Sequence, residues 1–236
     1  MRLNKFVAHA GVDSRRKCAE YIKSGKVKVN DVVEKNPSYM VEDSDVVTYG
    51  GKVLKHKIDY VYLLMNKPKN TVTTTSDEKD RKIILDIIKE DYGRIYPVGR
   101  LDMNTTGLLV LTNDGDLAQK LSHPSFEIKK VYAVTLDKDF TKSHLEKIRE
   151  GVLLSDGVVE VDSANYIDET DTTVVGVTLH IGRNRIVRRL FEHLGYEVLK
   201  LDRIYYAGLT KKDLGRGRYR HLTDMEVKRL KHFNKL

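Results

Sequence analysis

Six short runs between residues 60 and 201 carry the pattern of β-strands: 60–66, 108–112, 131–136, 158–162, 174–181 and 197–201. Several are rich in β-branched residues or alternate apolar with polar positions, as strands with one buried face do. Helical periodicity falls between or after them at 83–89, 117–122, 143–150, 185–194 and 224–233, at unequal intervals and without a repeated strand–helix–strand unit. That order predicts an α+β domain built on a largely antiparallel mixed sheet flanked by helices. Thr223 and Glu226 predict a capping box for the last helix, and Gly195 closes the one before it.

The first 55 residues read differently. Leu3, Phe6, Val7 and Ala10 recur at helical spacing, and Gly11 ends the turn. Asp13 or Ser14 can cap a second helix that buries Cys18, Ala19, Tyr21 and Ile22 while Arg15, Arg16, Lys17 and Lys23 face out. Short strands at Val27/Val29 and Val46/Val47 follow, with a turn over 49–52 and a linker over 56–59. The predicted organisation is a small domain of residues 1–55 and a larger one of residues 56–236, which suits a chain of 236 residues.

Charge separates along the chain. Residues 1–35 hold 9 Lys/Arg against 4 Asp/Glu, residues 181–236 hold 15 against 6, and the stretch between holds 18 against 24. Two basic ends on a chain of net charge +8 are the footprint of a polyanion binder, with nucleic acid the first candidate. No apolar run approaches the roughly 18 residues of a membrane helix. The first residues lack a signal-peptide pattern, and the single cysteine, Cys18, excludes an internal disulfide or a cysteine-based zinc site. A cytoplasmic protein is expected, with a monomer as the default state.

The candidate chemistry centres on residues 99–115, where Asp102 lies in a polar loop of Gly and Thr that runs straight into an apolar strand. A loop anchored to a rigid strand is a common seat for a catalytic group. On spacing alone, an ordinary turn in which Asp102 caps backbone N–H groups is the favoured reading. Arg100 can pair with a phosphate or with that carboxylate. The eight histidines show no metal-ligand spacing, residues 113–116 lack the spaced acids of a calcium loop, and the glycines and arginines of 215–220 match no phosphate-binding motif. No metal or cofactor is expected.

Four stretches in order resemble the motifs of pseudouridine synthases acting on ribosomal RNA: Met65-Asn66-Lys67-Pro68; Gly99-Arg100-Leu101-Asp102 with its following Thr105; Leu121-Ser122-His123-Pro124 with Lys129-Lys130-Val131-Tyr132; and Gly182-Arg183-Asn184-Arg185-Ile186-Val187-Arg188-Arg189-Leu190-Phe191. Residues 1–48 resemble an S4 RNA-binding domain through Arg2-Leu3-Asn4-Lys5, Ser14-Arg15-Arg16 and Gly25-Lys26-Val27-Lys28. The resemblance covers nearly the whole chain. It implies Asp102 as catalytic aspartate, Tyr132 as the active-site tyrosine and Arg188 as the arginine paired with Asp102. It further implies RNA contacts from Arg2, Lys5, Arg15, Arg16, Lys17 and Lys26 in the first domain, and from Asn66, Lys67, Arg100, Thr105, Lys130, Arg183 and Arg185 in the second. Two departures, Asn104 where an acidic residue is usual and Arg185-Ile186 where His or Arg followed by Gln is common, bear on RNA contacts and leave the catalytic groups in place.

The implied partner is ribosomal RNA or a ribosomal precursor particle, with the large-subunit RNA favoured over the small. A non-catalytic ribosome-assembly protein and a carboxylate-dependent hydrolase using Asp114 or Asp116 as a second acid are the competing readings.

Overall fold

The computed structural model describes residues 1–55 and 59–233. Its described residues form two compact units, Met1–Tyr60 with Tyr92–Ile95, and Val61–Asp91 with Tyr96–Leu236. Most of the predicted linker, residues 56–58, lies outside the described residues.

In the first unit, α1 (Leu3–His9) and α2 (Arg15–Lys23) precede β1 (Val27–Val29), β2 (Val32–Val33), β3 (Val47–Tyr49) and β4 (Lys52–Val53). The strands form one sheet in the order β2-β1-β3-β4, all antiparallel. Ser14 is the cap of α2: its hydroxyl accepts from the Lys17 amide at 3.2 Å, and Asp13 instead accepts from the Ser14 amide and the Tyr21 hydroxyl. Leu3, Val7, Cys18, Ile22, Val27, Val29, Val41 and Val47 form the core, which leaves Arg15, Arg16, Lys17 and Lys23 on the solvent side.

The second unit opens with β5 (Tyr62–Lys67), β6 (Tyr96–Pro97) and β7 (Thr106–Thr112), then α3 (Gly115–Ser122), β8 (Lys130–Leu136) and α4 (Lys142–Glu150). There follow β9 (Val152–Leu154), β10 (Gly157–Val159), β11 (Ser163–Asp168), β12 (Asp171–Leu179), α5 (Ile186–His193), β13 (Val198–Tyr206), β14 (Leu209–Thr210), β15 (Tyr219–His221) and α6 (Asp224–Lys231). One large sheet runs β11-β12-β8-β13-β7-β5-β15, with β14 on β13 and β6 on β7. Only the β13–β7 pairing is parallel among the named strands, so the sheet is mixed and largely antiparallel.

β7 explains the sheet's centre. All seven of its residues are buried, as a strand covered on both faces requires. Its Leu108 and Val110 pack in one cluster with Leu117 and Leu121 of α3 and Leu230 of α6. Gly107 lets β13 approach: at φ +110° it has a conformation L side chains rarely adopt, and a Cβ there would stand 2.3 Å from the Arg203 carbonyl oxygen. The parallel pairing of Arg203 with Gly107 therefore depends on glycine.

Three expected elements differ. The expected strand over 158–162 is in fact a separate hairpin, β9–β10, turning at Ser155-Asp156, followed by β11 from Ser163. The expected helix over 83–89 shortens to one 3-10 turn, Ile84–Ile87, in a β-branched run that is poor in helix-forming residues. The strand expected to stop at residue 201 continues to Tyr206.

The last helix forms its capping box as expected: Thr223 and Glu226 satisfy each other's backbone amides at 3.3 and 2.8 Å. Arg220 forks onto the same Glu226 with two bonds of 2.8 Å, and holds its carboxyl down to about 2 from the ordinary 4.5. A depressed carboxylate pKa stabilises the fold above the unfolded value, and that contribution is lost as pH falls through the folded one. Glu226→Gln should therefore lower the melting temperature at neutral pH, with the gap to wild type closing between about pH 4.5 and 2. Thermal unfolding across that range checks it; a gap independent of pH would assign the loss to packing instead.

Candidate active site

Asp102 sits just ahead of β7, in a loop whose backbone is bolted down from beneath. Lys67, at the end of β5, is fully buried, and its ammonium stands 3.1, 3.2 and 2.9 Å from the carbonyl oxygens of Asp102, Met103 and Thr105, and 3.1 Å from that of Pro68. Three N–H protons are shared among four acceptors. Burial pushes the Lys67 ammonium down to about 8, against the pull of the Asp102 charge. On the other side the buried Thr73 hydroxyl donates to the Leu101 carbonyl at 2.6 Å and faces the Leu101 amide. The loop is thus held by its main chain, which leaves the Asp102 carboxylate free to face the ligand.

That carboxylate is half-exposed between two cavities. A cleft of about 200 Å³ runs along the sheet, floored by Lys130, Tyr132, Leu201, Arg203 and Tyr206. A more open groove of about 730 Å³ is lined by Arg81, Arg100, Arg183 and Arg185. Among the described residues Asp102 is the one carboxylate that lines the cleft. Asp114 lies elsewhere, where it caps α3 through the Leu117 amide at 3.0 Å and accepts from the Tyr62 hydroxyl at 2.8 Å. Asp116 does not line the cleft either, which removes the second acid that the hydrolase reading needs.

Tyr132 lies on β8, opposite Arg203 of β13 and Val177 of β12. Its ring is nearly buried, and among the described residues its hydroxyl has no hydrogen-bond partner. Lys130, two residues earlier on the same face, donates to the His180 carbonyl at 2.6 Å. Burial, with Arg203 adding to it, pushes the Lys130 ammonium down to about 8.

The expected pairing of Arg188 with Asp102 is corrected by the structure. Arg188 points inward from α5, where its Nη1 donates to the Val198 carbonyl at 2.8 Å and its buried Nε has no partner; it lines neither cavity. The guanidinium nearest the carboxylate is Arg185, whose Nη1 is 3.8 Å from Asp102 Oδ2. Arg185 holds a left-handed backbone at φ 46° just before α5, a rare state for a side chain that large, and this conformation sets where α5 begins. Arg188 still acts on Asp102 through its field: burial and Arg185 lower its pKa while Asp102 raises it.

Two expected RNA contacts are also corrected. Lys67 is enclosed by the carbonyls described above, and Asn66, 5% exposed, donates to the Leu214 carbonyl and accepts from Arg216 at 2.9 Å. Both are internal braces, because their polar atoms are used by the protein itself. Thr105 lines the cleft with a buried hydroxyl that has no partner, and Arg100, Arg183 and Arg185 line the groove. Arg183 is steadied by the Asp156 carbonyl at 3.1 Å. In the first unit Arg2, Arg15, Arg16, Lys17 and Lys26 are exposed and Lys5 half-buried. Arg203 and Arg81 were not among the expected site residues; an arginine at an inward position of β13 was the available sign for the first.

Comparison with known proteins agrees with this geometry. Residues 61–193 match the RNA pseudouridylate synthase family and residues 1–47 match the S4 domain. The ribosomal large subunit pseudouridine synthase B of Bacillus subtilis (strain 168) is 43% identical over 98% of this chain and 95% of its own. An uncharacterized RNA pseudouridine synthase of Aquifex aeolicus (strain VF5) is 36% identical over 98% and 93%. A crystal structure of a pseudouridylate synthase superposes with a TM-score of 0.69 at 28% identity, covering 98% of this chain and 99% of that one. A clamped aspartate loop opening onto a cationic cleft, joined to an N-terminal S4 domain, places the chain in the RNA pseudouridylate synthase family.

Proposed function

We propose that the protein isomerises one uridine, or a few, in large-subunit ribosomal RNA to pseudouridine, with Asp102 as the catalytic carboxylate. The observation that carries this is that, among the described residues, one carboxylate shares a partly apolar cleft with Arg100, Lys130, Arg183, Arg185 and Arg203, in a chain alike along its length to a large-subunit enzyme. The reaction breaks the N1–C1′ bond, turns the uracil while it stays bound, and joins C5 to C1′; C5 loses its proton and N1 gains one. Asp102 can attack C1′ or C6, or take the sugar C2′ proton, with the Arg185 guanidinium 3.8 Å from its carboxylate. Tyr132 offers its ring as a stacking face for a base drawn out of the RNA, and its free hydroxyl lies within the same cleft. The groove arginines 100, 183 and 185 hold the flanking phosphates, while Arg81 is forked onto Asp77 in the same groove.

Residues 1–55 serve as the RNA-docking domain, the remainder as the catalytic one, and the enzyme works as a cytoplasmic monomer without a cofactor. Small-subunit ribosomal RNA is the nearest alternative substrate. Tritium release from ribosomal RNA or precursor particles carrying 5-tritiated uridine tests the reading, and mapping the product then identifies the RNA. Tight binding with no release from either substrate would leave an RNA-binding assembly protein. RNA affinity should fall steeply with salt, and Arg15→Ala with Arg16→Ala should flatten that slope by about one to two phosphate contacts without abolishing turnover at excess RNA. An unchanged slope would place the RNA on another face.

A further inference from the structure

Arg203 is a buried cation whose hydrogen-bonding capacity the fold meets only in part. It is 3% exposed, on β13 opposite Tyr132, yet it lines the cleft. Its Nε donates to the Leu108 carbonyl at 2.8 Å, and its guanidinium lies 4.3 Å from the centre of the Tyr206 ring. The buried Nη2 has no partner, and no bond from Nη1 is made among the described residues. Lys130, a second half-buried cation, shares the cleft floor and is near enough to feel its charge. Two desolvated cations side by side, one with unmet donors, are costly unless an acceptor fills the site.

The surroundings decide which acceptor. Tyr132, Tyr206, Leu201, Ile128 and Val98 make the cleft apolar around these cations, which suits a flat heterocycle with carbonyl edges. Phosphates have their own place in the open groove with Arg100, Arg183 and Arg185. We propose that Arg203, with Lys130 beside it, binds a carbonyl oxygen of the uracil drawn into the cleft and stabilises the negative charge the base holds once N1–C1′ has broken. The inference rests on the isomerase reading above. When that bond breaks, its electron pair stays on the uracil and spreads over N1 and the carbonyl oxygens. Donors already aimed at that position lower the barrier without reorganising, as oxyanion-binding groups do. C5 then bonds to C1′ with that electron pair, which discharges the site, and the C5 proton is lost as N1 takes one up.

The test is single-turnover isomerisation, at saturating protein, of a ribosomal RNA fragment carrying uridine, 2-thiouridine or 4-thiouridine at the mapped position, followed by nucleoside chromatography. Sulfur accepts hydrogen bonds weakly, so the wild type should be slowed at one of the two thio positions. Arg203→Gln should react on the order of 10²-fold more slowly with uridine, the usual cost of removing one such donor, while binding RNA with wild-type affinity. It should also lose the extra slowing at that thio position. Arg203→Lys keeps the charge and the strand but not the planar fork, and carries the same test should the glutamine variant fold poorly. A sulfur penalty retained in either folded variant, or a loss confined to RNA affinity, would overturn the assignment. A wild type that isomerises no uridine would instead overturn the isomerase reading, and this inference with it.

Discussion

Asp102→Asn is expected to bind ribosomal RNA as the wild type does and to release no tritium from 5-tritiated uridine. Removing a group that acts directly on the reacting atoms typically lowers rates by about 10⁴-fold or more. The prediction is sharp because of how the loop is built. Its shape is set by main-chain carbonyls on Lys67 and by the Thr73 hydroxyl, and the Asp102 side chain contributes none of those bonds. Its one ion-pair partner, Arg185, is about half exposed and 3.8 Å away, a contact of little weight for stability. The asparagine variant should therefore melt with the wild type, so that lost turnover reports chemistry and not folding. Residual release above a hundredth of the wild-type rate would show that another group carries the reaction.

Lys67→Met should behave in the opposite way, by loosening the fold first. Methionine approximates the lysine stem in volume but has no donor, so the buried Thr105 carbonyl and the part-buried carbonyls of Pro68, Asp102 and Met103 all lose the ammonium, and Asp102 keeps only the Thr105 amide. Each unsatisfied buried acceptor costs about 1–3 kcal/mol, offset in part by no longer burying a charge, so a net loss on the order of 3 kcal/mol is expected. Urea unfolding would read this as a lower midpoint. Turnover at permissive temperature should fall as well, because the aspartate loop loses its brace. Lys67→Met with a wild-type midpoint would mean that water replaces the ammonium at no cost. Arg216 is not a ready substitute: it already spans Asn66 and Asp202.

These two variants mark where sequence reading succeeds and where it stops. The clean alternation of 131–136 and the apolar run of 108–111 reveal β8 and β7, because burial on one or two faces writes itself into residue type. The capping residues Thr223, Glu226 and Gly195 are local, so their elements were legible too. β2, β4, β6 and β14, only two residues each, are too short to show a period, although β2, β4 and β14 pair across tight turns with the strand just before them. Lys67 and Asn66 lie in a motif that also carries site residues, and spacing cannot distinguish a lysine facing RNA from one facing carbonyls 35 residues away. Arg203 was passed over because the strand was expected to end at Leu201; two residues further along the same alternation it points inward. The Arg185 contact depends on one left-handed backbone angle, which no residue pattern announces.

The order of strands in the large sheet has a consequence for synthesis. β13 is among the last strands made, yet it lies between β8 and β7, and the final β15 pairs with the first strand of the unit. A growing chain that has already released Asp102 and Tyr132 leaves the edges of β7 and β8 open and lacks the part of the cleft floor that β13 supplies. The site can close only after residue 206 has emerged, and the sheet only after residue 221. Such distant pairings make folding slow and leave strand edges bare while it proceeds. The cleft, whose floor is shared between β8 and β13, is therefore among the last parts of the unit to take shape.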